Sequence, residues 1–284
     1  MNVAKSAAIE TPSGKNIAYE NFPVGSWLLP RRLRLHVLCF YRFARAADDI
    51  ADNKALSSAE KVDRLNRFGD ALSGTEVSDS ACETAYRMAE SLAVTGISPQ
   101  HCMDLLAAFK QDATKPRYRN WDDLLSYCAL SAAPAGRYLL DLHGGSRDGY
   151  ATADALCLAL QVINHLQDCR DDYLDLNRVY LPLDWMDTEG ASLDMLSATH
   201  TSPQLRAVID RTTAATRALL LRAAALPSGL VSRRLAMESG ATLAVARRLV
   251  RRLEREDPLA RRIELTKPSF LLCCFGGALQ GLAS

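Results

Sequence analysis

Six aspartates lie in two short segments of the 284-residue chain, and their spacing suits the binding of metal ions. RFARAADDIAD (42–52) holds three of them, and QVINHLQDCRDD (161–172) holds the other three. In chain order they are Asp48, Asp49, Asp52, Asp168, Asp171 and Asp172. Because a helix turns by about 100° per residue, aspartates three or four positions apart share one edge of it. Each segment therefore predicts an acidic stripe on an otherwise apolar helix.

Such a stripe needs positive charge. Two carboxylates about 4 Å apart repel each other by about 4 kcal/mol at an effective dielectric near 20. Aspartate is also a poor helix former, so helix propensity does not explain its use. If the two stripes face each other, either some carboxylates become protonated or cations neutralise them. Because Mg²⁺ prefers oxygen ligands and shares its octahedron with water and phosphate oxygens, the pattern predicts a diphosphate held through Mg²⁺.

Two other interpretations of the stripes stay open at this point. A single acidic cluster on a helix is more often a solvated face, although two clusters of matched spacing weaken that interpretation. A di-iron bundle would need Glu-x-x-His pairs, and the sequence has none. His165 lies beside the second stripe, but a lone histidine on a helix is more often packed or solvated than a metal ligand.

The rest of the sequence predicts the helices that would carry these stripes. Ala, Leu and Arg recur at three- and four-residue spacing, whereas alternating strand patterns are missing. Ser57 and Glu60 have the spacing of a capping box, and Ser98-Pro99 and Ser202-Pro203 have that of helix starts. The predicted helices span residues 31–53, 58–73, 81–94, 99–112, 122–142, 151–176, 203–225, 229–256 and 269–281. We therefore expect an all-α, single-domain helical bundle over residues 21–284, preceded by a flexible N-terminal segment at 1–20.

Composition and motifs exclude several classes of protein. Lys and Arg total 34 against 33 Asp and Glu, so a dedicated nucleic-acid binder is not expected. No apolar run reaches the roughly 18 residues of a membrane span, and the N-terminus lacks the apolar core of a secretory signal. P-loop, GxGxxG and GxSxG motifs are absent, which argues against nucleotide folds and serine hydrolases. The eight cysteines form no CxxC pair, so we expect reduced thiols in a cytoplasmic protein.

The two acidic segments and their surroundings resemble the squalene/phytoene synthase family of head-to-head isoprenyl diphosphate synthases. The similarity covers residues 20–270, and its first parts are FYRFARAADDIAD (40–52) and QVINHLQDCRDDYLDLNRVYLP (161–182). Its other parts are YCALSAAPAG (127–136) and RRIELTKP (261–268). The resemblance implies an isoprenoid-synthase fold with a central cavity between the acidic segments, and a Mg²⁺-assisted loss of diphosphate.

The resemblance also implies roles for individual residues. The six aspartates match the metal ligands, and the leading catalytic positions among them are Asp48, Asp52, Asp168 and Asp172. Tyr127 matches the tyrosine implicated in proton handling during cyclopropane formation. The positions that match substrate contacts are Asn21, Phe22, Tyr41, Arg45, Gln161, Asn164, Gln167, Arg178 and Arg262.

Several positions depart from the family's usual pattern. Asn21 stands where many relatives have serine, and Gln167 stands where many have arginine. Pro134 lies in a segment that is usually VAGxVG, and it should loosen or kink the helix there. These departures resemble the hydroxysqualene synthase branch of bacterial hopanoid biosynthesis, which converts presqualene diphosphate and water to hydroxysqualene and diphosphate. Presqualene diphosphate synthesis or squalene synthesis from farnesyl diphosphate stays open, as does a noncatalytic scaffold of the same fold.

The expected partners follow from the same resemblance. It implies an isoprenoid diphosphate substrate and Mg²⁺, and neither a nicotinamide cofactor nor nucleic acid is expected. Nine arginines against four acids between Arg233 and Arg262 indicate a solvated basic face more than a lipid-binding one. FLLCCFGGAL (270–279) is too short to span a bilayer. Transient contact with the inner membrane surface, and with partner enzymes of the pathway, stays open because the implied chemistry handles water-insoluble C30 molecules.

Overall fold

The computed structural model describes residues 9–10, 28–74 and 82–283, and in these ranges the chain is mainly α-helical. This confirms the predicted all-α fold. The helices are α1 (Arg31–Asp52), α2 (Ser58–Ser73), α3 (Glu83–Thr95), α4 (Gln100–Thr114), α5 (Trp121–Ser131), α6 (Ala133–Leu142), α7 (Tyr150–Leu176), α8 (Leu183–Glu189), α9 (Pro203–Ala223), α10 (Arg233–Leu253) and α11 (Lys267–Ala283). Two short strands, β1 (Arg117–Tyr118) and β2 (Val179–Pro182), pair in parallel. Short 3₁₀ helices lie at Arg147–Gly149, Leu193–Ser197 and Pro227–Gly229.

Serine caps begin two of the three helices where the sequence predicted them. The third prediction is wrong, because the N-cap of α4 is Pro99, not Ser98, and Pro99 makes no side-chain cap hydrogen bond. The Ser57 side chain accepts a hydrogen bond from the backbone N–H of Glu60, whose carboxylate accepts one from the Ser57 N–H at 2.8 Å, so the predicted capping box forms. Ser202 caps α9 by accepting from the N–H of Leu205. These bonds satisfy N–H groups that have no partner within the helix, which is why the chain enters a helix at these serines.

Two predicted helix boundaries are wrong. The helix predicted over 122–142 is two helices, α5 and α6, which are separated at Ala132 with a non-helical φ of −127°. Pro134 lies in the first turn of α6, where the missing N–H of proline leaves no hydrogen bond unmade. The helix predicted over 229–256 is too long, because α10 begins only after the cap at Ser232.

The sequence analysis missed β1, β2 and α8. The two strands are too short to show an alternating pattern of apolar and polar residues. Their pairing places the chain after α4 beside the chain after α7, and the Val179 N–H donates to the Pro116 carbonyl oxygen at 2.9 Å. Because α7 carries the second acidic segment, this pairing fixes the end of that segment close to α4.

The two helices with acidic segments have different neighbours within one core. α1 packs against α2, α3 and α4, whereas α7 packs against α5, α6, α9 and α10. The buried apolar side chains of these helices form a single cluster. Stacked rings strengthen the α1 side, where the Phe43 and Phe68 centroids lie 5.0 Å apart. Each acidic helix is thus held rigidly by its own set of packed neighbours.

All eight cysteines are free thiols, as predicted. Burial raises the pKa of the Cys102 and Cys169 thiols to about 12, which keeps them protonated.

Over the ranges that the structure describes, no helix combines the length and apolarity needed to cross a bilayer.

Glycines bring α10 and α11 together as a close antiparallel pair. A Cβ on Gly277 would lie 2.8 Å from the Cα of Ala241 and closer still to the carbonyl oxygen of Gly240. A Cβ on Gly281 would likewise overlap the backbone of α10 at Ala236. Because these distances are well inside van der Waals contact, only glycine allows the two backbones to approach so closely.

Gly277→Ala is therefore expected to destabilise the protein by about 2 kcal/mol, because the two helices must separate to admit a methyl group. Gly276→Ala is the matched control, since a Cβ at that position meets nothing within 4 Å. We expect it to be neutral or to stabilise the protein by up to about 1 kcal/mol, because alanine favours the helix. Free energies of unfolding from urea titrations compare the two variants, and equal values would contradict the role of the glycine contact.

Candidate active site

The first acidic stripe lies on the last turns of α1. Arg45 pairs with two of its aspartates, with Nη1 3.1 Å from Asp48 Oδ2 and Nε 3.2 Å from Asp49 Oδ1. Asp49 is buried, whereas the Asp48 and Asp52 side chains are partly accessible. Tyr41 is half-buried one turn before Arg45. Since α1 continues unbroken to Asp52, the shared edge predicted from the spacing is present.

The second acidic stripe lies in the C-terminal part of α7. Asp168 receives two bonds from Arg262, with Nε 2.5 Å from Oδ1 and Nη2 3.2 Å from Oδ2. The neighbouring Gln167 is buried, and its amide donates to the carbonyl oxygen of Ile263. Two adjacent residues of α7 thus hold the segment that follows α10 against the helix.

The remaining predicted contacts differ in accessibility. Asp172 is half-buried on the turn after Asp168, whereas Asp171 is exposed. Gln161 and Asn164 are half-buried on the preceding turns of α7. The last two predicted substrate contacts, Asn21 and Phe22, lie outside the described residues.

Arg178 joins the two stripes. It follows Asn177, which ends α7 in a left-handed conformation with φ 52°. Its backbone N–H donates to the Asp172 carbonyl oxygen at 2.9 Å, which ties it to α7. On the α1 side its Nη1 lies 2.6 Å from Asp52 Oδ1, and its Nη2 donates to the Ala51 carbonyl oxygen at 3.0 Å. Arg178 therefore holds the ends of α1 and α7 together, by its buried guanidinium on the α1 side and by its backbone N–H on the α7 side.

The carboxylates of the two stripes lie close enough to repel each other. Burial raises the pKa of Asp48, and repulsion from Asp52 raises it further. Burial also raises the pKa of Asp172, and there Asp168 and Asp52 add to the effect. Because Asp52 acts on one aspartate of each helix, the two acidic edges share one electrostatic environment.

This environment fits a divalent cation that is bound jointly with a ligand. Among the described residues, no three His, Cys, Asp or Glu side chains converge closely enough to hold a metal ion by themselves. Mg²⁺ typically takes only one or two carboxylates and completes its octahedron with water and phosphate oxygens. Asp48 and Asp172 are partly buried and close to other acids, and this is the condition that added positive charge would relieve.

A buried hydrogen-bond network adjoins Arg178. The Asp112 carboxylate accepts bonds from the hydroxyls of Tyr127 at 2.8 Å and Tyr180 at 2.7 Å. The Arg178 Nε donates to the Asp112 backbone carbonyl oxygen at 3.1 Å. Burial raises the pKa of Asp112 to about 6, although Arg178 and the two hydroxyls oppose the shift. The network connects Tyr127, a predicted site residue, to the arginine that joins the stripes.

His165 packs into the same network and does not lie among the aspartates. Its ring stacks on Tyr180 with a centroid distance of 3.7 Å, and its Nε2 lies 3.3 Å from the Gln161 amide nitrogen. Burial, followed by the nearby charge of Arg178, lowers the pKa of His165 to about 3. The imidazole is therefore neutral at physiological pH.

Asp112 and Tyr180 were missed by the sequence analysis. A signal for Asp112 exists, because it lies three residues after Phe109 and seven after Leu105, on the buried face of α4. A buried aspartate needs partners, so this spacing predicts a polar network inside the core. Tyr180 offers no such signal, since its strand is only four residues long.

Comparison with known proteins shows the family of the chain. The family model for squalene/phytoene synthase matches residues 17–269. A hydroxysqualene synthase of Rhodopseudomonas palustris is 41% identical, and the alignment covers 95% of this chain and 92% of that protein. One from Sinorhizobium fredii is 42% identical, over 89% of this chain and 86% of that protein.

Solved structures give the same result. A squalene synthase from Alicyclobacillus acidocaldarius has a TM-score of 0.72 at 30% identity, covering 84% of this chain and 89% of that one. A dehydrosqualene synthase solved with a ligand has a TM-score of 0.78 at 20% identity, over 93% and 92% of the two chains, and it shows the shared fold. From the family match, the near full-length relatives and the fold together, the chain belongs to the squalene/phytoene synthase family.

Proposed function

We propose that this protein is a hydroxysqualene synthase, which converts presqualene diphosphate and water to hydroxysqualene and diphosphate in hopanoid biosynthesis. The relatives of that name, 41% and 42% identical over most of both chains, support this function. In the site itself, the observation that best supports this function is that Arg178 joins the two acidic stripes. A diphosphate placed there would have carboxylates and arginines on both sides.

Arginines from three parts of the chain are our candidates for binding the diphosphate. Arg45 on α1, Arg178 after α7 and Arg262 after α10 each pair with an aspartate of a stripe. Hydrogen bonds from a guanidinium to phosphate oxygens are charge-assisted and directional, so these groups suit a leaving diphosphate. The half-buried amides of Gln161 and Asn164 would add neutral donors from α7.

We propose the aspartates of both stripes as the carboxylates that hold Mg²⁺. When bound, the ion supplies Lewis-acid stabilisation of the charge that develops on the leaving diphosphate. The four that we assign as leading ligands are Asp48, Asp52, Asp168 and Asp172. Asp49, which is buried against Arg45, and Asp171, which is exposed, would support them.

Tyr127 is our candidate for proton handling. Its hydroxyl donates to the buried Asp112 carboxylate, which fixes its orientation. Burial and the Asp112 charge raise the pKa of Tyr127 well above its usual value, so it stays protonated. Capture of the cation by water releases a proton, and the Tyr127 hydroxyl would take up that proton while passing its own to the Asp112 carboxylate.

Tyr127→Phe is expected to lower turnover of presqualene diphosphate by about 10²-fold, because the proton that the attacking water loses can no longer pass through the hydroxyl to Asp112. Tyr173→Phe is the matched control, because Tyr173 is half-buried on α7 and its ring contact with Arg117 survives the change. Product formation at saturating substrate, compared with urea unfolding of both variants, separates catalysis from stability. Equal turnover in both variants would remove Tyr127 from the mechanism.

The test of the proposed function offers farnesyl diphosphate and presqualene diphosphate separately, with Mg²⁺ and without reductant, and identifies products by mass spectrometry. Hydroxysqualene from presqualene diphosphate, and no product from farnesyl diphosphate, is expected. Squalene synthase is the second candidate, since the solved relative at 30% identity bears that name. Consumption of farnesyl diphosphate would favour it or presqualene diphosphate synthesis, and no product from either substrate would favour a scaffold.

The bounds of the catalytic domain are also a proposal. We propose that residues 21–284 form the catalytic domain, because the family match begins at residue 17 and continues to 269. Residues 1–20 would then precede the domain, and most of them lie outside the described residues.

A further inference from the structure

α11 exposes its large apolar side chains and buries its small ones. Five of them are 47% to 74% exposed: Leu271, Leu272, Phe275, Leu279 and Leu282. At about 100° per residue they fall within an arc of about 100°, and we call this set the α11 stripe. Gly277 and Gly281 are buried on the other side, against α10. A helix of a water-facing surface shows the reverse pattern, so the α11 stripe has the composition of a face that is covered.

Basic residues border the N-terminal end of the α11 stripe. Ala244 contacts α11 at Gly277, and Arg248 lies one turn further along the same face of α10, followed by Arg251. Lys267 begins α11. No ion pair between described residues involves these three cations, all of which are exposed. Their charge is therefore available to an outside partner.

A cation also lies near the other end of α11. Gly281 contacts Ala236 near the start of α10, and the exposed Arg233 begins that helix, whereas Arg234 lies on the side of α10 away from α11. The sequence of α11 itself, KPSFLLCCFGGALQGLA, contains no acidic residue. Exposed positive charge thus lies at both ends of α11, with Lys267 on α11 itself and the arginines on the neighbouring α10.

We propose that the α11 stripe docks this protein on an anionic lipid surface, with α11 lying flat at the level of the headgroups. An apolar helix face bordered by arginine and lysine is the pattern that binds such an interface, where acyl chains cover the apolar residues and acidic headgroups meet the cations. The helix is too short and too little apolar to span, which agrees with a position in the plane of the surface.

The charges distinguish lipid from a second copy of the chain. In a two-fold symmetric dimer the same patch meets itself. Because exposed positive charge lies at both ends of α11, either direction of α11 against its copy would bring cations near cations. Such like charges oppose association in water, whereas an anionic surface attracts them. This proposal is independent of the proposed reaction.

The test measures flotation of the full chain with vesicles of phosphatidylcholine containing phosphatidylglycerol, and with vesicles of phosphatidylcholine alone. We expect binding to the anionic vesicles and at least about tenfold weaker binding to the neutral ones. Leu272→Ser/Phe275→Ser should weaken binding to anionic vesicles at least about tenfold, because two large apolar side chains no longer enter the interface. Arg248→Gln/Arg251→Gln should weaken it too, and more so at low salt.

Val94→Ser is the matched control, because Val94 is 77% exposed on α3, which packs against α1 and α2. It should bind as the unaltered protein does, and circular dichroism should show that all variants are folded. Equal binding to the two kinds of vesicle, or full binding by Leu272→Ser/Phe275→Ser, would overturn the proposal. So would a dimer in vesicle-free buffer that this variant converts to a monomer, since that would identify a second copy as the partner.

Discussion

Asp48→Asn and Asp172→Asn are each expected to lower turnover of presqualene diphosphate by about 10³-fold and to raise the stability of the metal-free protein. Turnover should fall because each change removes a carboxylate proposed to hold Mg²⁺ beside the diphosphate. Stability should rise by about 1 kcal/mol, since Asn has a similar shape and carries no charge, so the folded state neither takes up a proton there nor holds another charge among the acids. Steady-state kinetics with Mg²⁺, and urea unfolding with a chelator, measure the two effects.

The gain in stability also has an expected pH dependence. Burial and Asp52 raise the pKa of Asp48 to about 8, so the folded state binds a proton that the unfolded state has already lost. Unfolding then becomes easier as pH rises from the unfolded-state pKa towards that of the folded state. The advantage of Asp48→Asn should therefore grow over this range of pH.

Asp175→Asn is the matched control for both changes. Asp175 lies on α7 one turn after Asp171, but its side chain is 63% exposed and pairs with Lys54 at the surface. We expect normal turnover and nearly unchanged stability, because exposed ion pairs contribute little. Normal turnover in Asp48→Asn and Asp172→Asn as well would refute the proposed metal site.

Arg178→Gln is expected to cause the largest loss of stability, about 3 kcal/mol, because it breaks a partly buried ion pair and removes the buried donor of two backbone carbonyls. Arg178 is almost fully buried and holds Asp52 and the backbones of Ala51 and Asp112 at once. Its loss would also separate the ends of α1 and α7. Turnover should fall with it, even at temperatures where the variant remains folded.

Arg42→Gln tests whether this effect belongs to the position or to any arginine near the stripes. Arg42 lies on α1 and is exposed, so its change should cost less than about 0.5 kcal/mol. Denaturant midpoints and turnover are compared for the two variants. A similarly small loss for Arg178→Gln would show that the two acidic helices are held together by other contacts.

Helices with local signals were predictable from the sequence. α2 and α9 have serine caps and regular apolar spacing, and both begin at the predicted residue. Pro134 signalled a disturbance of the helix predicted over 122–142, but its alanine-rich surroundings favoured one continuous helix, and the sequence did not show that the chain would break completely at Ala132. A long-range contact accompanies it, since a Cβ on Gly136 of α6 would lie 2.7 Å from the Cys157 sulfur of α7. Such a close approach fixes the direction of α6 and cannot be read from local spacing.

In the candidate site, too, features with a local signal were predictable and features that depend on long-range contacts were not. The aspartate stripes were predictable, since acids four residues apart on an apolar helix are visible locally. That Arg262 pairs with Asp168, 94 positions away, depends on the folded chain, and only the family resemblance suggested a role for this arginine. The bond from Tyr180 to Asp112 spans 68 positions and left no trace in the sequence pattern. Their roles in the reaction remain predictions that the variants above address.

The glycine contact between α10 and α11 fixes an orientation as well as a distance. If α11 rotated about its axis, a leucine or phenylalanine would have to enter the space that only Gly277 and Gly281 can occupy beside α10. If it slid by one residue, the same overlap would follow. The outward residues are therefore presented in one constant arrangement that does not depend on their own identity. Substitutions on that outer side can therefore change what the helix binds while the bundle beneath it keeps its shape.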